Sequence, residues 1–154
     1  MMASGYGPLT GIVARYSRFN AALISPPPSS SSTSAALIHL GGLSDGLLPT
    51  PYTKRLATLC HDSSITFVNP LLSSSYMGFG YSSLAKDVEE LTTLLTYLSK
   101  NHSIGKVFLV GHSTGCQQVV RLLKSLKEDN GDNDNNNNNN KVAIGGAILQ
   151  APVS

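Results

Sequence analysis

Apolar residues along this chain fall into two patterns. Short apolar runs bounded by Gly, Pro, Asn or Ser have the length of strands. They occupy residues 11–16, 21–25, 35–40, 65–68, 104–110 and 142–149. Residues 17–20 turn the first run into the second. Between the later runs the apolar period changes to that of helices. Thr50 as N-cap and Pro51 at the first helical position predict a helix over 51–61, with Tyr52, Leu56 and Leu59 on one face. Leu84, Val88, Leu91, Leu95 and Leu98 predict a second helix from Ser83 to about Lys100. Asp87, Glu89 and Glu90 near its start and Lys100 at its end complement the helix dipole. Val119, Leu122, Leu123 and Leu126 are the inward face of a third helix, over 114–127. The order β-β-β-α-β-α-β-α-β predicts an α/β fold, a mostly parallel sheet flanked by helices on both faces. Residues 1–154 form a single domain in this reading.

Two stretches break the alternation. Residues 26–34 are Pro- and Ser-rich and are expected to be a flexible connection. Residues 128–140 are acidic and Asn-rich. They lack the apolar area to offset their ordering entropy, so a disordered insert is expected.

Composition narrows the partners. Hydrophobic residues are 41% and charged residues 13%, with a net charge of +2, so nothing points to nucleic acid. No apolar segment reaches the ~18 residues of a membrane span. Cys60 and Cys116 stand apart without metal-ligand spacing, and no metal or cofactor is expected. Two isolated thiols suit a reducing compartment. The first acidic residue is Asp45, so the start, with Arg15 and Arg18, could be an organelle transit peptide. The strand pattern over 11–25 favours a folded start and a cytoplasmic protein.

The chemistry is concentrated in residues 107–117. An apolar run, Val107-Phe108-Leu109-Val110, leads into Gly111-His112-Ser113-Thr114-Gly115, and an amphipathic helix follows. Strand, Gly-x-Ser-x-Gly and helix in that order make a nucleophile elbow. Ser113 is the candidate nucleophile. Gly111 and Gly115 stand where a Cβ would collide with neighbouring backbone. The backbone N–H of Thr114 is one candidate oxyanion donor. The N–H of Leu43, supported by Gly42, is the other, from the glycine-dense loop Gly41-Gly42-Leu43-Ser44-Asp45-Gly46. Asp45 would fix that loop or cap the next helix. The competing reading is a strand-to-helix turn in which Ser113 merely caps a helix. A phosphate-binding turn lacks its Gly-x-Gly-x-x-Gly or Gly-Lys-Ser/Thr signature.

The heptad Gly111-His112-Ser113-Thr114-Gly115-Cys116-Gln117 resembles the elbow of a family of α/β-hydrolases carried under domain-of-unknown-function names in fungi and plants. That family includes fungal esterases of fusarinine-type siderophores. Further similarity lies in Gly41 to Leu47 with Pro51-Tyr52, in Arg15-Tyr16, and in Ile148-Leu149-Gln150-Ala151-Pro152-Val153-Ser154. The resemblance implies a serine esterase acting on a small-molecule ester through an acyl-Ser113 intermediate. It also implies an acid and a histidine that follow the nucleophile in chain order. Neither position occurs in this sequence, so the chain is expected to be a C-terminally truncated member with its last strands missing and its catalysis impaired. His39, His61, His102 and His112 are expected to be structural or solvated, with His112 pointing away from the Ser113 hydroxyl. The apolar strand 142–149 would then be an exposed edge open to self-association. The alternatives are a non-catalytic hydrolase-like interaction protein or an incomplete gene model.

Overall fold

The structure, a computed structural model, describes residues 8–28, 33–131 and 142–153. The remaining parts of the segments 26–34 and 128–140 lie outside the described residues.

Six strands form one sheet: β1 (Ile12–Arg15), β2 (Ala21–Ser25), β3 (Ala35–Leu40), β4 (Thr66–Pro70), β5 (Lys106–His112) and β6 (Ala143–Gln150). Their spatial order is β1-β2-β4-β3-β5-β6. The hairpin β1–β2 and the β2–β4 pair are antiparallel. The β3–β4, β3–β5 and β5–β6 pairs are parallel. Three helices connect the parallel strands: α1 (Thr53–Asp62), α2 (Leu84–His102) and α3 (Gly115–Gly131). The sheet is mostly parallel, as the alternation of periods predicts.

Period-two alternation sends neighbouring residues to opposite layers. On one face Ile38, Val68, Val107 and Leu109 pack with Leu91, Leu94 and Leu98 of α2 and Val119 and Leu122 of α3. On the other, Phe67 packs with Ala57 and Cys60 of α1. The side chains of Leu91, Leu94 and Leu98 are at most 1% exposed. Burial of each contributes about 2 kcal/mol, so packing rather than propensity holds α2. Its first turn is capped by Ser83, whose hydroxyl accepts the Lys86 N–H at 3.2 Å. Ser103 closes it in the left-handed region, φ 56°, and donates its N–H to the Leu98 carbonyl.

The structure corrects the predicted elements in several places. Helix α1 begins at Thr53, and its buried face is Thr53, Ala57 and Cys60, while Leu59 is 54% exposed. Thr50 does not cap through its side chain to the helix backbone. Its hydroxyl meets that of Thr53 at 2.9 Å, and its carbonyl accepts the Thr53 N–H. Pro51 and Tyr52 thus form a turn before the helix, which frees the Tyr52 ring for other contacts. Strand β4 runs through Asn69 and Pro70, two residues read as its stop signal, because both pair with β2. Pro70 is tolerated there because the β3 pairing ends at Val68. A 3-10 turn at Tyr76–Gly80 lies between β4 and α2. Helix α3 continues to Gly131, four residues beyond 127.

Candidate active site at the end of strand β5

Strand β5 lies inside the sheet between β3 and β6. Its carboxyl end therefore has chain on both sides, the position where open α/β sheets build their sites. Ser113 follows immediately, with φ 53°, in the left-handed region that a serine adopts only under constraint. Its N–H donates to the Gln150 carbonyl of β6 at 2.9 Å, and its carbonyl accepts the Cys116 N–H at 3.0 Å. These two bonds clamp the turn from the strand side and the helix side.

The glycines flanking Ser113 have no room for a side chain. A Cβ on Gly111 would lie 2.8 Å from the Cys116 nitrogen and from Gly115 backbone atoms. One on Gly115 would lie 2.4 Å from the Gly41 oxygen and 2.5 Å from the Leu40 oxygen. The start of α3 is thereby pressed against the end of β3, and this brings the Gly41–Leu43 loop over the turn. Gly42 is the point of closest approach: a Cβ there would sit 3.1 Å from the Ser113 Cβ. Asp45 holds the loop closed. Its carboxylate accepts the Gly42 N–H at 2.6 Å, and its own N–H donates to the Gly42 carbonyl at 3.1 Å. The Gly42 N–H is thus occupied, whereas those of Leu43 and Thr114 have no partner among the described residues. Asp45 does not cap α1, which has no side-chain cap bond.

The four histidines are engaged elsewhere. His61 Nε2 meets the Ser25 hydroxyl and carbonyl at 3.0 and 3.1 Å. The His102 ring packs on Tyr97. His112 is bonded through Nδ1 to the Gln150 side-chain carbonyl. His39 is fully buried in β3, and neither ring nitrogen has a partner. Burial is the main reason its pKa is lowered to about 4, and His112 adds to the shift. It is therefore a neutral ring at physiological pH. The Ser113 hydroxyl has no hydrogen-bond partner among the described residues.

Several residues around the turn were named from sequence only in stretches of resemblance or as element signals, with no role in the site. The Tyr52 ring packs edge-on against both His39 and His112, at 5.8 and 6.1 Å, and its hydroxyl donates to Gln150 Oε1 at 3.3 Å. Gln150 thus joins β6, His112 and Tyr52 beneath the turn. Its place at the carboxyl end of the strand beside the elbow was the available signal. Asn69, read as a strand breaker, is 1% exposed. It accepts the Leu48 N–H at 2.7 Å and donates to the His39 carbonyl at 3.2 Å, tying the glycine loop to the sheet.

Asp87, in the first turn of α2 as expected, and Glu90 are both buried. Glu90 accepts the Ser73 N–H at 2.7 Å and also the Ser73 hydroxyl. Asp87 Oδ2 accepts the Ser74 hydroxyl and Gln118 Nε2, each at 2.8 Å. Burial raises the Asp87 pKa, against the effect of those two bonds. Both cysteines are buried and unpaired, and burial pushes the Cys60 thiol up to about 11. Among the described residues no group of three or more His, Cys, Asp or Glu side chains could hold a metal ion. No helix among them is long and apolar enough to cross a membrane.

The family described as "Protein of unknown function (DUF1749)" matches residues 1–154. "Esterase AN6793" of Emericella nidulans is 30% identical over 134 residues, covering 77% of this chain and 36% of the relative. "Fusarinine C esterase sidJ" of Aspergillus fumigatus is 32% identical over 130 residues, covering 77% and 37%. Among solved structures, the siderophore hydrolase EstB from Aspergillus fumigatus superposes with a TM-score of 0.73 at 30% identity, covering 96% of this chain and 44% of that one. The chain spans about a third of the length of the curated relatives it matches. Its architecture is that of the α/β-hydrolases.

Proposed function

The chain belongs to the DUF1749 family, and on that premise we propose that it acts as a serine ester hydrolase with Ser113 as nucleophile. The observation that carries this reading is the Ser113 turn itself. A strained serine stands at the carboxyl end of an inner strand, and the free N–H groups of Leu43 and Thr114 belong to the two segments that meet there. In the reaction, Ser113 Oγ loses its proton to a base and attacks the ester carbonyl carbon. The carbonyl oxygen becomes negative and is held by the two N–H donors. Removal of one such donor typically costs about 3 kcal/mol of transition-state stabilisation. The intermediate collapses with loss of the alcohol, and water then cleaves the acyl-Ser113 ester. Its relatives include a fusarinine C esterase and a siderophore hydrolase, which makes siderophore esters the first small-molecule substrates to try.

A serine hydroxyl needs a base, and each histidine of this sequence has other contacts or none with Ser113. The 154 residues alone are therefore expected to turn over slowly, with a residual rate from the oxyanion donors and substrate binding. A second reading, a non-catalytic interaction protein, is favoured by one observation: Ile148 and Leu149 of β6 are 62% and 43% exposed on an outer strand.

Labelling with a fluorophosphonate probe and hydrolysis of p-nitrophenyl acetate separate the two. Slow labelling that disappears in Ser113→Ala supports the hydrolase. Equal labelling of both proteins refutes Ser113 as nucleophile. Turnover as fast as that of complete serine esterases refutes the impairment.

A further inference from the structure

Three exposed apolar side chains gather at one cleft. Leu43, Phe79 and Leu84 are 56%, 43% and 38% exposed. All three line a cleft of about 160 Å³ whose rim at the Ser113 turn is formed by Gly42 and Thr114. They come from three separate segments: the glycine loop, the 3-10 turn and the first residue of α2. Apolar side chains converging on a recess beside a nucleophile are the usual lining of a ligand site.

The turn that carries Phe79 is fixed to the glycine loop. The Tyr76 N–H donates to the Asp45 carbonyl at 3.1 Å, and the Leu47 N–H donates to the Tyr76 hydroxyl at 3.2 Å. The Tyr76 ring fills the space beside Gly46, where a Cβ would lie 2.0 Å from it. The wall with Phe79 and the loop with the Leu43 N–H are therefore one unit. The polar groups of the cleft, by contrast, are bound to their own neighbours. Asp87 accepts from the hydroxyls of Ser74 and Ser82 and from the Gln118 amide. The Ser83 hydroxyl accepts the Lys86 N–H. What this wall offers a ligand is its apolar side chains.

We propose that the cleft is the seat of the acyl group, that Phe79 and Leu84 are its specificity-determining residues, and that the preferred esters are those of short aliphatic acids. This rests on the hydrolase reading of Ser113 and names the substrate class for that site. The cleft is smaller than the roughly 300–1,000 Å³ of pockets that take a whole drug-sized ligand, so it holds one part of an ester. Its rim is formed by the segments that carry the Leu43 and Thr114 donors. After the alcohol has left, only the acyl part remains bonded to the carbon held at those donors. A seat joined to them serves acylation and deacylation alike when it holds the acyl chain. The chain lies between Leu43, Phe79 and Leu84, and each methylene that enters adds buried apolar area.

The test reads binding and needs no turnover. The Ser113→Ala protein is titrated with methyl hexanoate and with methyl acetate by ligand-observed NMR. Methyl hexanoate is expected to bind at least tenfold tighter. Phe79→Ala and Leu84→Asn, both at partly exposed positions that the fold tolerates, are each expected to weaken methyl hexanoate at least threefold. Met77→Ala, in the same turn but 76% exposed and outside the cleft, is expected to leave it unchanged. No saturable binding, equal affinity for the two esters, or affinity that Phe79→Ala and Leu84→Asn both leave unchanged would overturn the seat. So would a loss confined to Val120→Asn, which would place the chain in the recess between α3 and β6 instead. The hydrolase reading is tested separately by fluorophosphonate labelling of the native protein. Absent labelling with the chain-length preference intact supports the apolar seat and counts against Ser113 as nucleophile alone.

Discussion

At the scale of the residue, space and charge decide more than side-chain chemistry. Gly115 is fixed by the backbone of Gly41 and Leu40, which cannot move without opening β3. Gly115→Ala is expected to lower unfolding free energy by about 2 kcal/mol or more through overpacking. Gly80, with nothing within 4 Å of a Cβ position, serves as the control. Gly80→Ala should change it by no more than ~0.5 kcal/mol. Urea unfolding compares the two, and equal losses would show that the elbow is not tightly packed. His39 makes a second prediction. Its pKa is about 4 in the fold against 6.5 in the open chain. The unfolded chain therefore binds the proton first as pH falls, and stability drops from pH 6.5 to about 4. The loss from this residue is on the order of 3 kcal/mol. Asp87, whose pKa is raised, works in the opposite sense as pH rises above its unfolded value. Comparison with His39→Leu isolates the histidine: the variant should lose that part of the pH slope, and an unchanged slope would refute it. The elbow was legible at this scale because Gly-x-Ser-x-Gly is local in sequence. The burial of His39 was not, since a lone histidine in an apolar run has the same sequence whether its ring is wet or dry.

At the scale of the element, α2 shows what periodicity captures and what it omits. Of Leu84, Val88, Leu91, Leu95 and Leu98, read as its inner stripe, the last four are buried and Leu84 is 38% exposed. The stripe is wider than the apolar residues alone, because Asp87 and Glu90 also face inward. Glu90 secures the segment after β4 through both polar groups of Ser73, so Glu90→Ala removes two hydrogen bonds to a carboxylate that is itself buried. It is expected to cost about 2–3 kcal/mol. Glu89→Ala removes only the exposed pair with Lys86 and should cost at most ~0.5 kcal/mol. Thermal unfolding of both variants checks this, and equal midpoints would sink the distinction. Helix α1 fails differently. Of Tyr52, Leu56 and Leu59, read as its inner face, Leu56 packs against the Ala57, Cys60 and Phe67 cluster while Leu59 is exposed.

At the scale of the whole molecule, the sheet places β5 between β3 and β6, so the Ser113 turn is built by three strands. The same order leaves β6 paired on one side among the described residues, with Ile148 and Leu149 exposed. Exposed apolar edges recruit further strands. The polypeptide of 154 residues is therefore expected to self-associate at micromolar concentration, and Ile148→Lys to reduce this at least fivefold by charging the edge. Sedimentation velocity measures both. A monomer that the substitution leaves unchanged would show that the edge is not adhesive.

Spacing along the chain was enough for the alternation of strands and helices, the mostly parallel sheet and the tight turn that carries Ser113. Each depends on spacing within a few residues, where covalent geometry and hydrophobic period act directly. Packing between distant segments settled which carboxylates were buried and that Gln150 and Tyr52 meet beside the turn. Those facts depend on contacts such as Tyr52 with Gln150, 98 positions apart, which no local pattern encodes.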